Sequence, residues 1–227
     1  MTIRCIAFDL DDTLWECHPV IERAEHRFYE WLKTVYPKIC QKYSEAALIE
    51  HRMIFMRSRP DMRHDLTLLR KNWMKSLADE VDYAHDFIEE GFEVFWLARN
   101  EVNFFEGTLE LLEGLSSRYS LGVISNGNAD VHHIGVGHLF DFTLSSEKAG
   151  VSKPTPDIFH QAVKLSNFDI DETIYVGDDP KRDVLGAQQA GMKAVWFNPK
   201  MQPWPGGQAP FSVIRHLSEL ENVVKSV

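Results

Sequence analysis

The segment Phe8-Asp9-Leu10-Asp11-Asp12-Thr13-Leu14 packs three carboxylates into four positions at the end of an apolar run. Ile3-Arg4-Cys5-Ile6-Ala7-Phe8 reads as a short buried strand, and Asp9 stands where that strand ceases to be hydrophobic. Carboxylates crowded in this way raise one another's pKa unless a cation sits among them. A hard divalent metal held by oxygens would relieve the repulsion, and Mg2+ is the usual choice where phosphate is involved. The alternative is a turn whose Asp residues only end the strand and cap the next helix.

Three further segments break apolar runs with polar groups. Val123-Ile124-Ser125-Asn126-Gly127 ends in a hydroxyl, an amide and a glycine. Lys153-Pro154 sits within Ser152-Lys153-Pro154-Thr155-Pro156-Asp157, just before a helical pattern. Thr173-Ile174-Tyr175-Val176-Gly177-Asp178-Asp179 breaks at a glycine and paired aspartates, with Asp183 a few residues on.

From Glu106 onward the hydrophobic period alternates. It predicts helices at Thr108 to Tyr119, Asp130 to Phe140, Pro156 to Leu165 and Pro180 to Ala190, the last closed by Gly191. Strands are expected at Ser120 to Ser125, Phe142 to Ser145, Ile174 to Gly177 and Lys193 to Phe197. Met201 to Pro210 reads as a loop, and Val213 to Val227 as a short strand or turn and a terminal helix. Strands alternating with helices predict an α/β fold, a Rossmann-like, doubly wound parallel sheet covered on both faces. Ligands of such sheets bind beyond the carboxyl ends of the strands. Asp9, Ser125 and Asp178 all stand at such ends, so one pocket can collect them.

From Pro19 to about Leu97 the pattern is helical only. Val20, Ala24, Phe28, Trp31 and Leu32 form one stripe; Ile49, Met53 and Met56 continue it, then Leu69, Trp73, Met74 and Leu77, then Phe87, Ile88, Phe92 and Phe95. The expected organisation is a core of residues 1–15 and 100–227 with an all-helical insert of four or so helices over 16–99.

Composition narrows the class. A formal net charge of −10 argues against a nucleic-acid or anionic-membrane partner. No run of about 18 apolar residues is present, so no transmembrane helix is expected. The N-terminus lacks the layout of a signal peptide. Cys5, Cys17 and Cys40 are odd in number and lack metal-site spacing, which fits free thiols in a reducing cytoplasm. His132, His133 and His138 cluster without a carboxylate or Cys partner at ligand spacing, so no metal is expected there.

The four segments, in this order, resemble the haloacid dehalogenase superfamily, the aspartate-nucleophile hydrolases. Its pattern is Asp-x-Asp-x-Thr, then Ser or Thr after a strand, then Lys, then Gly-Asp-Asp or a variant. The resemblance spans essentially the whole chain. It implies Asp9 as nucleophile, forming an aspartyl-phosphate. It implies Mg2+ held by the Asp9 carboxylate, the Asp11 main-chain carbonyl and the Asp178 carboxylate. Ser125 and the amides around Asn126 would bind the transferring phosphoryl group, and Lys153 would balance its charge. Asp183 would either bind the metal through water or orient Lys153. Thr13 would hydrogen-bond Asp9 or cap the following turn. Asp11 bears on the reaction type, because an alkoxide leaving group needs a proton and a carboxylic acid can supply it. The dehalogenase branch ejects halide, which needs none, and resembles Asp-x-Tyr at this point. Phosphatase chemistry is therefore expected over dehalogenation or a non-catalytic binding role.

A helical insert between the first two motifs is similar to the helical cap of superfamily members that hydrolyse small phosphate monoesters. Phe8 to Trp15, Pro19 to Glu25, Arg63-His64-Asp65-Leu66-Thr67, Ser125 to Ala129 and Gly177 to Pro199 resemble a narrower group. That group is the bacterial phosphatases of flavin mononucleotide (FMN) and 5-amino-6-(5-phospho-D-ribitylamino)uracil. The resemblance implies a small phosphorylated metabolite as partner, with a 5'-nucleotide, phosphoglycolate or a sugar phosphate as alternatives, and a monomer or homodimer. Arg52, Arg57, Arg59, Arg63, Arg70, Lys71 and Lys75 form a local basic excess, either an attractor of anionic substrate or a solvated face. Arg63, His64 and Arg70 are the candidate substrate contacts.

Overall fold

The computed structural model describes residues 2–226, in two compact units. One carries the sheet, running to Glu16 and resuming at Asn103; the other is all-helical and spans Cys17–Val102.

Six strands form the sheet: β1 (Cys5–Phe8), β2 (Ser120–Ser125), β3 (Phe142–Ser145), β4 (Thr173–Gly177), β5 (Lys193–Phe197) and β6 (Ser212–Ile214). Their order is β3-β2-β1-β4-β5-β6, and every pairing is parallel. All of β1 and β4 is buried, which suits their near-continuous apolar sequence, since strands of a doubly covered sheet have no solvent face. The chain runs outward on one side of β1 through β2 and β3, then crosses to β4 on the other side. The carboxyl end of β1 is thus the switch point where a crevice opens. Register sets which residues meet there: Phe8 is level with Val123 and with Val176, and the Asp9 N–H donates to the Val176 carbonyl at 2.9 Å.

The helical unit holds α1 (Cys17–Val35), α2 (Pro37–Lys42), α3 (Glu45–Ser58), α4 (Leu66–Asp79) and α5 (Phe87–Arg99), one helix more than the "four or so" expected. Ser44 caps α3 by accepting from Ala47 N–H, and Asp65 caps α4 by accepting from Leu68 N–H at 2.7 Å. Phe28, Leu32, Trp73, Leu77, Phe87 and Phe95 make its apolar centre. Helix α3 departs from the expected stripe. Leu48 and Arg52 face inward, whereas Met53 is 39% and the neighbouring Ile54 58% exposed. Arg52 turns in because it pairs with Glu25, which α1 buries alongside Val20, Ala24, Phe28 and Leu32.

In the sheet unit the helices are α6 (Thr108–Ser116), α7 (Val131–Ile134), α8 (Ser146–Ala149), α9 (Pro156–Ser166), α10 (Gly186–Gln189) and α11 (Leu220–Lys225). The single helix expected from Asp130 to Phe140 is α7 followed by a separate 3-10 turn, Gly137–Leu139. Gly135 ends α7 in the left-handed region, at φ 98°. The expected Pro180 to Ala190 helix opens as a wide π-type turn over Pro180–Leu185 before α10. The terminal helix is α11; Val227, at the end of the expected stretch, lies outside the described residues.

Candidate active site

Asp9 follows β1 directly and is 8% exposed. Lys153, on the turn between α8 and α9, brings its ammonium to Asp9 Oδ1 at 2.6 Å. The same Nζ donates to Asp183 Oδ1 at 2.7 Å and to the Tyr175 hydroxyl at 2.8 Å. An ammonium has three N–H donors, and here each has an acceptor. The Lys153 main chain is held as firmly. Its N–H donates to Asn126 Oδ1 at 2.8 Å, and its carbonyl accepts from Asn126 Nδ2 at 3.0 Å. The Asn126 side chain is thus engaged with Lys153 through both its oxygen and its amide. Ser125 Oγ accepts from Gly127 N–H at 2.9 Å, a bond that leaves the hydroxyl proton to be donated elsewhere.

The end of β4 supplies the other carboxylates. Asp183 is 1% exposed because the wide turn after Asp179 folds it back under the strand. Its Oδ2 accepts from Asp179 N–H at 2.9 Å, while Asp179 caps the turn by accepting from Lys181 and Arg182 N–H, both at 2.8 Å. Gly177 permits the approach: a Cβ there would lie 2.5 Å from the Asp183 Cβ. Asp178 is half-buried, 3.4 Å from Thr13 Oγ1, and its carbonyl accepts from Trp196 Nε1 at 2.7 Å. Thr13 thus faces Asp178, where the sequence offered Asp9 or a cap. Asp11 accepts from the indole of Trp15 at 3.0 Å.

Among the described residues, Asp9, Asp178 and Asp183 are the acidic group whose oxygens converge, all within 4.8 Å of one another. Three carboxylates against one ammonium leave two negative charges uncompensated. Burial pushes Asp9 up to about 7, with Asp183 and Asp11 adding to it and Lys153 opposing. Burial, with the charges of Asp183, Asp9 and Asp12, pushes Asp178 up to about 8. Burial also works to deprotonate Lys153, but Asp183 and Asp9 outweigh it and hold the ammonium above its ordinary value. An all-oxygen, anionic donor set of this kind fits a hard divalent cation.

Tyr175 is a site residue that the hydrophobic pattern does not announce. Its hydroxyl lies 3.0 Å from the Ile124 carbonyl and 3.1 Å from Asp183 Oδ1, fully buried, with its ring edge-on to Phe159. The one hint is a hydroxyl-bearing ring in the otherwise aliphatic run Ile174-Tyr175-Val176.

The three candidate substrate contacts lie in the helical unit. Arg63 is exposed and His64 half-buried. Arg70 is buried and committed within the unit: its guanidinium makes a two-pronged pair with Glu25 and lies over the Phe95 ring, 3.3 Å from the centroid. Arg52 shares the same carboxylate at 3.1 Å. Much of the local basic excess is likewise paired, Arg59 with Asp61 at 3.0 Å and Lys71 with Glu89 at 2.6 Å.

The chain is 29% identical over 230 residues to the 5-amino-6-(5-phospho-D-ribitylamino)uracil phosphatase YigB of Escherichia coli (strain K12), covering 98% of this chain and 96% of that one. It is 32% identical over 124 residues to the pyrimidine 5'-nucleotidase YjjG of the same strain, covering 52% of this chain and 55% of the other. Among solved structures, a 2-haloacid dehalogenase from Pseudomonas syringae pv. Tomato DC3000 superposes with a TM-score of 0.92 at 36% identity, covering 99% of each chain. Residues 3–191 match the haloacid dehalogenase-like hydrolase family, and with the strand-end aspartates, the buried lysine and the parallel sheet in place, the chain belongs to that family.

Proposed function

We propose that the protein is a Mg2+-dependent phosphatase that hydrolyses a small phosphate monoester through an aspartyl-phosphate on Asp9. The observation that carries this reading is the convergence of Asp9, Asp178 and Asp183 on one point beside Lys153, with a further carboxyl, Asp11, two residues after the nucleophile. A hard cation held by Asp9, Asp178 and the Asp11 carbonyl, with Asp183 as a direct or water-mediated ligand, would neutralise the phosphoryl oxygens. Lys153 opposes the burial that raises the Asp9 pKa, so favouring its ionised form, and adds positive charge beside the transferring group. Ser125 donates its hydroxyl proton to a phosphoryl oxygen, and the main-chain amides around Asn126 do the same.

Asp9 attacks phosphorus while the ester P–O bond breaks, and Asp11 hands its proton to the departing alkoxide. The Asp11 carboxylate then takes a proton from water as that water attacks the phosphorus of the acyl phosphate, which frees inorganic phosphate and Asp9. Displacement of halide would need neither a proton donor nor a cation site, so these residues favour a phosphoryl substrate over a haloacid.

The helical unit is read as the cap that selects the substrate, with Arg63, His64 and Arg70 as its candidate contacts, Arg70 only in exchange for its pair with Glu25. The leading substrates are FMN and the ribityl phosphate of riboflavin synthesis, supported by the near full-length similarity to YigB. A 5'-nucleotide is the second reading, supported by the similarity to YjjG over about half of the chain. We read the protein as cytoplasmic and without a nucleic-acid partner; no described helix is long and apolar enough to cross a membrane. The test is turnover of p-nitrophenyl phosphate with and without Mg2+, beside a panel of FMN, ribonucleotides, sugar phosphates, phosphoglycolate and 2-chloropropionate. Asp9→Asn should abolish turnover with the fold intact. Release of chloride, or undiminished activity of Asp9→Asn, would overturn the mechanism; a nucleotide or sugar phosphate ahead of FMN by orders of magnitude would overturn only the substrate.

A further inference from the structure

The Asp11 carboxyl is held by a residue outside the four motifs. Its Oδ1 accepts the indole N–H of Trp15 at 3.0 Å. Trp15 is completely buried, and its ring meets Phe104 edge to face at 5.5 Å and 82°. The main chain locks the same turn: Asp12 N–H donates to the Trp15 carbonyl at 2.7 Å, Trp15 forms bridges with Asp11 and Phe104, and Phe105 N–H donates to Leu14 O at 2.9 Å. Asp12 takes the left-handed conformation that closes the loop, at φ 59°, which Asp tolerates better than most residues. The indole therefore cannot shift without repacking its surroundings.

An indole N–H is a donor only, so the bond has one polarity, with Asp11 Oδ1 the acceptor. We infer that Trp15 is a positioning residue for the general acid and base, holding the Asp11 carboxyl in one rotamer through Oδ1. This rests on the phosphatase reading above. In the first half-reaction the Asp11 O–H bond breaks as the ester P–O bond breaks, and the proton goes to the alkoxide oxygen. In the second, the Asp11 carboxylate takes a proton from the attacking water.

The experiment compares two substrates, p-nitrophenyl phosphate, whose phenolate leaves without a proton, and an alkyl phosphate, whose alkoxide needs one. Trp15→Phe removes the N–H with some loss of volume. Replacing Trp15 by benzothienylalanine puts sulfur in place of the N–H and keeps the ring size, so a folding defect in the first variant does not decide the outcome. Both should lose roughly 10-fold or more of kcat/KM on the alkyl phosphate, part of the 10²- to 10⁴-fold that a general acid supplies. Both should stay within about 3-fold of the parent in kcat/KM on p-nitrophenyl phosphate, since kcat/KM reports the transfer to Asp9 and not the later hydrolysis, in which Asp11 is the base for either substrate. In an Asp11→Asn background neither change should cost more, because residues acting as a unit are not additive. Equal losses on both substrates, additive losses with Asp11→Asn, or no loss would overturn the role of Trp15. If Asp11→Asn keeps its leaving-group contrast in those cases, the phosphatase mechanism stands. A parent protein inactive on both substrates would overturn the two together.

Discussion

Asn126 grips Lys153 by both main-chain polar groups, accepting from its N–H at 2.8 Å and donating to its carbonyl at 3.0 Å. The clamp ties the end of β2 to the turn that carries the ammonium, so Asn126 acts on the site through the place it gives Lys153.

Asn126→Asp tests this with almost no change of shape. One carboxylate oxygen can still accept from Lys153 N–H, but the other faces a carbonyl, acceptor against acceptor. Lys153 should shift, and a misplacement near 1 Å can cost about 10²-fold in rate. The expected result is a fall in kcat on p-nitrophenyl phosphate of that order with KM little changed. A loss confined to KM would instead assign the side chain to phosphate binding.

Tyr175→Phe removes the hydroxyl that Lys153 donates to and that lies 3.0 Å from the Ile124 carbonyl. Burial, and then the charges of Asp183 and Asp9, hold this phenol well above its ordinary pKa, so it stays protonated at working pH. Each buried polar group left without a partner costs about 1–3 kcal/mol. A positioning loss of about 1–2 kcal/mol corresponds to roughly 5- to 30-fold in kcat. The variant should lose rate in that range and also melt lower, by about 2–4 °C for each kcal/mol in a chain of this size. Unchanged kcat with a lowered Tm would make Tyr175 structural only.

The strand-end residues are legible in the sequence because each interrupts an apolar run with a group that has no business in a core. Asp9, Ser125 and Asp178 are found that way, and the alternation of strands and helices after Glu106 is enough to foresee a parallel sheet that gathers its strand ends. Tyr175 is hidden for the same physical reason: a strand buried on both faces has no period in which a polar residue could fall on the wrong side. Asp183 is reached through the family resemblance and not through the hydrophobic pattern, because the wide turn that folds it under Gly177 has no hydrophobic signature. In the insert, a stripe of Ile49, Met53 and Met56 is a fair reading of period alone. A buried charge, Glu25, overrides it by drawing Arg52 inward, and its partners lie far along the chain.

The acidic cluster makes stability depend on pH and cation together. Asp9, at about 7, and Asp178, at about 8, ionise near 4 in an unfolded chain. Between those values the folded protein holds more protons than the unfolded one, so these two groups withdraw stability as pH rises from about 4 to 8. A bound cation requires both deprotonated and reverses the penalty. Thermal melts should show a larger gain from Mg2+ at pH 8 than at pH 6, and calorimetry in two buffers should show proton release on binding at pH 7. A gain from Mg2+ that is independent of pH would count against this cluster as the metal site.

Glu25 is 5% exposed and carries both Arg70 and Arg52. Burial alone would raise its pKa, but the charge and hydrogen bonds of Arg70, with Arg52, outweigh it and hold the carboxyl below its ordinary value. A depressed carboxylate stabilises the fold above the unfolded pKa, and that stability is lost as pH falls through the folded pKa. Glu25→Gln leaves two buried guanidinium groups without their counter-charge, a change that costs about 3–5 kcal/mol in buried pairs. The variant should therefore melt well below the parent at pH 7, with the gap closing as pH falls below 4. Replacing all three charges together, Glu25→Leu with Arg52→Met and Arg70→Met, should recover much of the loss, since an apolar cluster of similar volume needs no pairing. If Arg70 serves only this pair, the triple variant keeps the parent's order of preference among phosphate esters. A changed order at restored stability would return Arg70 or Arg52 to the substrate.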